Sequence, residues 1–152
     1  MAQFVASAEL TCSAVALRTF LGRPANLPQI SNPDLELEIV AAPEEVVTGA
    51  TIEFRITAHG FKQRAKHEYV EVSENTIVET QIDGPLRAWK HAQKIEILGP
   101  GVCRLTDEFA FERPGGMLGF LLTEDRIRRA IEKGMEFRYA TLQELISTGV
   151  IA

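Results

Sequence analysis

Cysteine and histidine, from which small metal and redox sites are most often built, are scarce in this sequence. The 152 residues include two cysteines, Cys12 and Cys103, and three histidines. Neither cysteine belongs to a CxxC pair, which argues against a thiol redox motif of that kind. We therefore expect no metal site and no cofactor. We also expect both cysteines to be buried, reduced thiols that pack as small hydrophobic residues.

An excess of positive charge is also missing. Lysine and arginine total 16 against 21 aspartates and glutamates, so the net charge is −5 and the sequence pI is about 5.3. Nucleic-acid-binding domains usually carry a basic patch or have a high pI, so we expect no nucleic-acid partner. The acidic balance also argues against docking on an anionic membrane.

Long hydrophobic runs are missing as well. No stretch approaches the roughly 20 apolar residues that a membrane-spanning helix needs. Residues 1–10, MAQFVASAEL, lack the basic region of a signal peptide and carry Glu9. We therefore expect no stable membrane insertion and a cytoplasmic location.

What is present is an ordinary globular composition at the length of one domain. Hydrophobic residues make up 45% of the chain and charged residues 24%, which matches typical soluble domains. A chain of this length can bury a substantial core without disulfides or metals. We therefore expect a single domain over residues 1–152.

Alternation of apolar and polar residues predicts seven β-strands, mostly in antiparallel hairpins. The strands are predicted at 4–11, 35–41, 51–58, 61–72, 77–82, 86–98 and 102–111. The sequence Gly99-Pro100-Gly101 predicts a tight hairpin between the last two strands. Gly60 permits another tight connection, and His59 beside it is predicted to be an ordinary hairpin residue.

Two short helices are predicted after the first strand, at 14–21 and 25–30. Pro24 and Pro28 divide this region into pieces, because proline is favoured near helix starts and ends longer helices. These segments are too short to form a layer of their own.

A long amphipathic helix is predicted at the C-terminal end of the chain. Apolar residues there recur every three or four positions, at Ile127, Ala130, Ile131, Met135, Tyr139, Leu142 and Leu145. The helix is predicted from the N-cap Thr123 to Ser147, with Gly149 as its stop. A helix of about 25 residues is roughly 37 Å long, enough to cross a sheet. Gly134 in its middle costs on the order of 1 kcal/mol relative to alanine, and we expect a bend, close packing or room for a ligand to offset that cost.

Two neighbouring strands predict an internal pocket. One strand carries Arg87, Trp89, His91 and Gln93 on one face, and the next carries Leu105, Asp107, Phe109 and Phe111 on one face. A face built for packing alone does not need this mixture of polar and aromatic side chains. Ligand pockets are mostly apolar with a few placed polar groups, so we expect these residues to surround a partly polar ligand.

His91 and Asp107 are the most specific pair of candidates. If Gly99-Pro100-Gly101 closes the hairpin, His91 lies opposite Asp107 or a near neighbour, and an aspartate can orient a histidine and favour its charged form. The pair predicts either a general acid–base unit or ligand-binding site, or a buried polar pair that sets strand register. No Ser or Cys stands beside it to form a nucleophilic triad.

The remaining candidates have open alternatives. Trp89 either stacks on an aromatic or polyene ligand or packs in the core, and Arg87 either holds a carboxylate or phenolate or lies in solvent. Glu79 is predicted to pair with Arg87, while His67 and Tyr69 share a face that lines either the pocket or its rim. The predicted ligand-binding residues are Trp89, His91, Arg87, Gln93, Asp107, Phe109, Gln81 and Tyr69.

Residues 117–122, MLGFLL, form an apolar run directly before the long helix. Two interpretations are open. The run is a loop that folds over the pocket mouth and gates entry, or it packs against the start of the helix.

Three segments resemble the SRPBCC or START-like helix-grip superfamily. Residues 20–40, FLGRPANLPQISNPDLELEIV, are similar to its N-terminal "fl-x-x-P-x-N-l-x-x-i-t-P" segment. Residues 77–93, IVETQIDGPLRAWKHAQ, resemble "F-v-D-x-Q-x-x-G-P-x-x-x-W-x-H" of small bacterial members, and residues 103–116, CRLTDEFAFERPGG, resemble "T-x-l-x-D-x-v-x-Y-x-x-P-x-G". Ile77 stands where an aromatic residue is usual, and Glu79 where aspartate is common.

The resemblance implies an α+β helix-grip fold. In that fold a seven-stranded curved antiparallel sheet wraps around a long C-terminal helix, with two short helices after the first strand. Many unrelated activities share this scaffold, so three functions stay open. The first is binding of a small hydrophobic or aromatic ligand. The second is a polyketide cyclase/dehydrase-like enzyme that uses His91 with Asp107 for proton transfer. The third is a protein-interaction module without a ligand; a homodimer is compatible with all three.

Overall fold

The computed structural model describes residues 1–58 and 60–152, and His59, predicted as a hairpin residue, lies outside them. Within the described residues, seven strands form one antiparallel sheet. They are β1 (Ala2–Leu10), β2 (Glu38–Ala41), β3 (Thr51–Ala58), β4 (Phe61–Val72), β5 (Thr76–Asp83), β6 (Ala88–Gly99) and β7 (Val102–Glu112). The order across the sheet is β1-β7-β6-β5-β4-β3-β2. The chain therefore has the predicted helix-grip architecture.

The helices complete this arrangement. The α-helices are α1 (Ala14–Leu21), α2 (Gly116–Leu121) and α3 (Glu124–Ser147), and shorter 3₁₀ helices span Pro24–Ile30 and Pro33–Leu35. The predicted N-cap Thr123 is confirmed, because its hydroxyl accepts a hydrogen bond from the Arg126 backbone N–H at 3.3 Å. The backbone turns at Gly149 with a φ of +84°, a conformation that favours glycine.

Several strand ends differ from the prediction by one or two residues, and two segments differ more. The strand predicted at 35–41 is confined to Glu38–Ala41, because Pro33–Leu35 forms a 3₁₀ turn and Glu36 adopts a left-handed backbone conformation with φ 46°. The segment 117–122, for which a loop was one interpretation, is mostly the helix α2. Its two ends are set by Pro114 with Gly115 before it and by the N-cap of α3 after it.

The core consists of two hydrophobic clusters that meet on the concave face of the sheet. The larger cluster joins β1, β3, β7, α1 and the C-terminal half of α3, through residues such as Leu10, Ile52, Leu105, Leu17 and Leu142. The smaller cluster joins β7 to the N-terminal half of α3 and comprises Phe109, Phe111, Leu122, Ile127 and Ile131. The two clusters hold α3 across the sheet. None of the described helices is long and apolar enough to cross a membrane.

Candidate functional site

A cavity of about 320 Å³ lies between the concave face of the sheet and α3. Its volume lies in the range of about 300–1,000 Å³ that is typical of small-molecule sites. Its walls include residues from the first 3₁₀ helix, from strands β3 to β7 and from α3, among them Ile30, Phe54, Ala65, Trp89, Phe109 and Ile131. Residues of both core clusters border it, so the cavity adjoins the core from both sides.

The lining of the cavity is mostly apolar, with polar side chains gathered on adjacent elements. The apolar part includes Ile52, Phe54, Ile127, Ile131 and Met135. The polar part includes His67 on β4, Glu79 and Gln81 on β5, His91 and Gln93 on β6, and Arg138 on α3. The side-chain amide of Gln81 already has hydrogen-bond partners, because it bonds to the backbone N–H and carbonyl of Leu86 in the turn before β6.

Gly134 keeps the helix side of the cavity open. It lines the cavity, and a Cβ atom added at this position would meet no heavy atom within 4 Å. The sequence left three explanations open for Gly134: a bend, close packing or room for a ligand. The geometry favours room inside the cavity. Close packing at this position does not fit the open space around it.

His91 and Asp107 form the centre of a buried polar network. His91 Nε2 donates to Asp107 Oδ1 at 2.7 Å. The backbone register places Phe109 directly opposite His91 and Gln93 opposite Asp107, so the two residues are diagonal neighbours across β6 and β7. The imidazole stacks on the Phe109 ring with a centroid distance of 4.2 Å. Asp107 is fully buried and, unlike His91, is not among the residues that line the cavity.

Glu79 extends the network to a second histidine. Its Oε2 accepts from His67 Nδ1 at 3.0 Å, and its Oε1 lies 3.5 Å from His91 Nδ1. This corrects the predicted pairing of Glu79 with Arg87. The Arg87 side chain is 61% exposed and lies 4.0 Å from Glu112 at the sheet surface, because β6 begins only at Ala88 and the alternation does not extend back to Arg87.

Two residues of α3 close the network from the other side. Tyr139 donates its hydroxyl hydrogen to Asp107 Oδ2 at 2.8 Å. Arg138 lies 3.3 Å from Asp107 Oδ1 and also donates to Gln93 Oε1. Sequence analysis missed Arg138. The available signal was its position on the same helical stripe as Ile131 and Gly134, where a charged residue indicates a buried ion pair.

The network favours the charged forms of His91, Glu79 and Asp107. Burial opposes the charge on His91, but hydrogen bonds to Asp107 and Glu79 outweigh it and raise the pKa of the imidazole. Burial also opposes ionisation of Glu79, yet hydrogen bonds from His67 and His91 hold the pKa of this carboxyl well below its usual range. Burial acts on Asp107 in the same way, and Arg138 and His91 lower the pKa of its carboxyl. Two carboxylates are thus balanced by one guanidinium and one imidazolium.

The predicted ligand-binding residues do not all line the cavity. Trp89, His91, Gln93, Phe109 and Gln81 line the cavity. Tyr69 is packed in the larger core cluster, at 2% exposure, and Arg87 is on the surface. Among residues 1–58 and 60–152, no group of three or more His, Cys, Asp or Glu side chains is arranged to hold a metal ion.

The helix α2 lies beside the cavity. Leu122, directly after it, lines the cavity, and Gln63 borders both the cavity and a shallow hollow formed with Met117, Leu118, Phe120 and Leu121. Met117 and Phe120 are 84% and 82% exposed. This position is compatible with the predicted gating role, which stays a prediction.

Comparison with solved structures identifies the fold. The chain is similar to a START superfamily protein from Mycobacterium smegmatis, with a TM-score of 0.73, 14% identity, and coverage of 96% of this chain and 97% of that one. A major latex-like protein from Panax ginseng matches with a TM-score of 0.70 and 11% identity, over 94% and 95% of the two chains. Norcoclaurine synthase from Thalictrum flavum, in complex with dopamine and hydroxybenzaldehyde, matches with a TM-score of 0.68 and 15% identity, over 97% and 87%.

The chain therefore has the START-like, or SRPBCC, helix-grip fold along nearly its whole length. No protein-family model and no curated protein matches the sequence. At these identities the structural likeness shows the fold alone, and many unrelated functions use this fold.

Proposed function

We propose that the protein binds a small hydrophobic or aromatic molecule in the cavity between the sheet and α3. The observation that carries the proposal is the cavity itself, which has apolar walls, a polar end and a volume of about 320 Å³. A pocket with mostly apolar walls and a few convergent polar groups is the usual form of a small-molecule site. START-like proteins among the structural neighbours have the same overall arrangement.

The proposed contacts are the predicted residues that border the cavity. Trp89 and Phe109 lie 5.3 Å apart between ring centroids and offer an aromatic wall. His91 and Gln93 belong to the polar end. Arg87 and Tyr69 are left out of the proposed site because one is on the surface and the other is packed in the core.

Trp89 supplies a direct signal for the test, since it is the one tryptophan of the chain and lines the cavity. A brominated apolar probe such as 4-bromotoluene should quench its fluorescence saturably, because a heavy atom quenches an indole that it contacts. The absence of saturable quenching would overturn the proposal that the cavity admits apolar aromatic molecules.

A pair of leucine variants tests whether the probe occupies the cavity. Gly134→Leu places a side chain into the open space at the centre of the cavity, so quenching should be lost while the circular dichroism spectrum stays unchanged. Glu132→Leu adds the same side chain at an exposed position of the same helix and should quench like the wild type. Equal quenching in both variants would place the probe elsewhere.

The two alternative functions have less support. A polyketide cyclase-like reaction with His91 as the proton-transfer group needs a free ring nitrogen, and both nitrogens of His91 face carboxylates. If the quenching experiment fails, the interpretation that remains is a protein-interaction module without a ligand. A cytoplasmic location remains part of the proposal and is supported by the two unpaired, buried cysteines.

A further inference from the structure

We propose that His67 is the cavity's hydrogen-bond acceptor for the ligand, and that the ligand is a neutral ring compound carrying a hydroxyl group. This inference rests on the proposed function and names its substrate class. It assigns to His67, on β4, the part that the sequence suggested for His91 on β6.

The two histidines differ in which of their ring nitrogens have partners. His91 has Nε2 on Asp107 and Nδ1 towards Glu79, at 2.7 and 3.5 Å. His67 has Nδ1 on Glu79, and no described residue hydrogen-bonds to its Nε2. Among the described residues, Nε of Arg138 is the only fully buried side-chain nitrogen or oxygen without a hydrogen-bond partner. The Nε2 atom of His67 is therefore not fully enclosed by protein, and because His67 lines the cavity, the proposal places this atom at the cavity surface.

The charges of the network balance one another. His67 contacts Glu79, which is linked through His91 to Asp107; Arg138 pairs with Asp107, and Tyr139 donates to it. With carboxylates beside both of its nitrogens, His91 is an imidazolium, and with Arg138 it balances Glu79 and Asp107. In the tautomer that donates its Nδ1 hydrogen to Glu79 Oε2, His67 adds no charge to the network, and its Nε2 carries a lone pair and no hydrogen.

The surroundings of His67 are mostly apolar. The edge of the Phe54 ring packs against His67 with a centroid distance of 4.8 Å, in a T-shaped contact. Most of the cavity wall nearby is apolar, and an unpaired polar group in such surroundings is unfavourable. A ligand hydroxyl that donates to Nε2 satisfies it, whereas a ligand ether cannot. A charged ligand would find no uncompensated opposite charge in the network, so a neutral hydroxyl is favoured.

A matched pair of probes tests the inference on the full chain. We expect 1-naphthol to bind about tenfold more tightly than 1-methoxynaphthalene by isothermal titration calorimetry, as the gain of one net hydrogen bond implies. Equal affinities would overturn the assignment of His67 and leave the proposed function intact. If neither compound bound, the proposed function would fail together with this inference.

Variants locate the effect at His67. His67→Phe keeps a ring at this position but removes the acceptor, so the preference for 1-naphthol should disappear. Ile131→Val changes the apolar wall of the same cavity and should weaken both compounds alike while keeping the tenfold ratio. A ratio that survives in His67→Phe would contradict the inference.

A measurement on the wild-type protein covers the case in which His67→Phe does not fold. In protein labelled with ¹⁵N-histidine, the Nε2 resonance of His67 should shift when 1-naphthol is added and stay in place with 1-methoxynaphthalene. A resonance that shows Nε2 already protonated, or that responds to neither compound, would overturn the assignment.

Discussion

At the scale of single residues, the surroundings of His91 favour a structural role over that of a free acid–base group. It lies between two carboxylates and stacks on Phe109. Removing one member of a buried ion pair is costly because it leaves the other charge uncompensated, typically by about 3–5 kcal/mol. We therefore expect His91 to keep Glu79 and Asp107 charged and in position.

The pH dependence of stability should show this role. The raised pKa of His91 contributes stability that is present below its unfolded value of 6.5 and is lost as the pH rises through the folded value. The lowered pKa values of Glu79 and Asp107 contribute stability above 4.5 and 3.8, which is lost as the pH falls through the folded values. We expect the melting temperature to be highest at mildly acidic pH, between about 4.5 and 6.5, when thermal unfolding is followed from pH 3 to 9.

Two variants separate the buried pair from surface charge. His91→Ala should lower the free energy of unfolding by about 3–5 kcal/mol and abolish the decline in stability above pH 6.5. Lys94→Ala removes a half-exposed ion pair with Glu108 on the same two strands and should cost less than about 1 kcal/mol, with an unchanged pH profile. A His91→Ala protein that melts like the wild type would contradict the structural role.

At the scale of elements, α3 carries a stability cost that serves the cavity. Gly134→Ala should stabilise the protein by up to about 1 kcal/mol in urea unfolding, because alanine favours the helix and its Cβ meets no heavy atom within 4 Å. The urea concentration at the midpoint of unfolding should rise, and the slope of the free energy of unfolding against urea concentration should stay unchanged. A destabilised variant would indicate close packing at Gly134 instead of open space.

The helix α2 depends on the close approach of Gly119 to the preceding turn. A Cβ atom at Gly119 would clash with the carbonyl oxygen of Pro114, so Gly119→Ala must displace α2. We expect a loss of about 1–3 kcal/mol and faster amide exchange in α2. Gly101→Ala, where no heavy atom lies within 4 Å of the added Cβ, is the matched control and should exchange like the wild type. Unchanged α2 exchange in Gly119→Ala would show that α2 does not need this contact.

At the scale of the whole molecule, the pairing of the first strand with the last brings distant cysteines together. Leu10 pairs with Cys103 across β1 and β7, and the Cys12 and Cys103 sulfur atoms lie 4.0 Å apart. A disulfide needs sulfurs about 2.05 Å apart. Both thiols are free and buried, and burial raises the pKa of Cys12 to about 12.

We therefore expect two free thiols that react slowly in the native protein. Titration with a thiol reagent should give little reaction at pH 8 before unfolding and two thiols per chain in denaturant, because the thiolate is the reactive form. Fewer than two thiols in the unfolded protein would show that the pair is oxidised.

Much of the fold followed from local patterns in the sequence. The predicted bounds of α1, β3 and β4 coincide with the observed ones, and α3 begins at its predicted cap. These features depend on periodicity and on capping residues within a few positions of one another. The same periodicity placed Trp89, His91 and Phe109 on the inner face, where they border the cavity.

The polar network, by contrast, was decided by tertiary structure. Its members come from β4, β5, β6, β7 and α3, and no local pattern relates strand residues to a helix that begins many positions later. The register of β4 against β5 also shifts between Lys66 and His67 and again between Tyr69 and Glu71, and such irregularities determine which side chain Glu79 meets. The sequence by itself determined the strands, the long helix and the inward face of β6 and β7. Only the pairing of β6 between β5 and β7 decided that His91 would lie between Glu79 and Asp107, and only the packing of α3 across the sheet brought Arg138 and Tyr139 to Asp107.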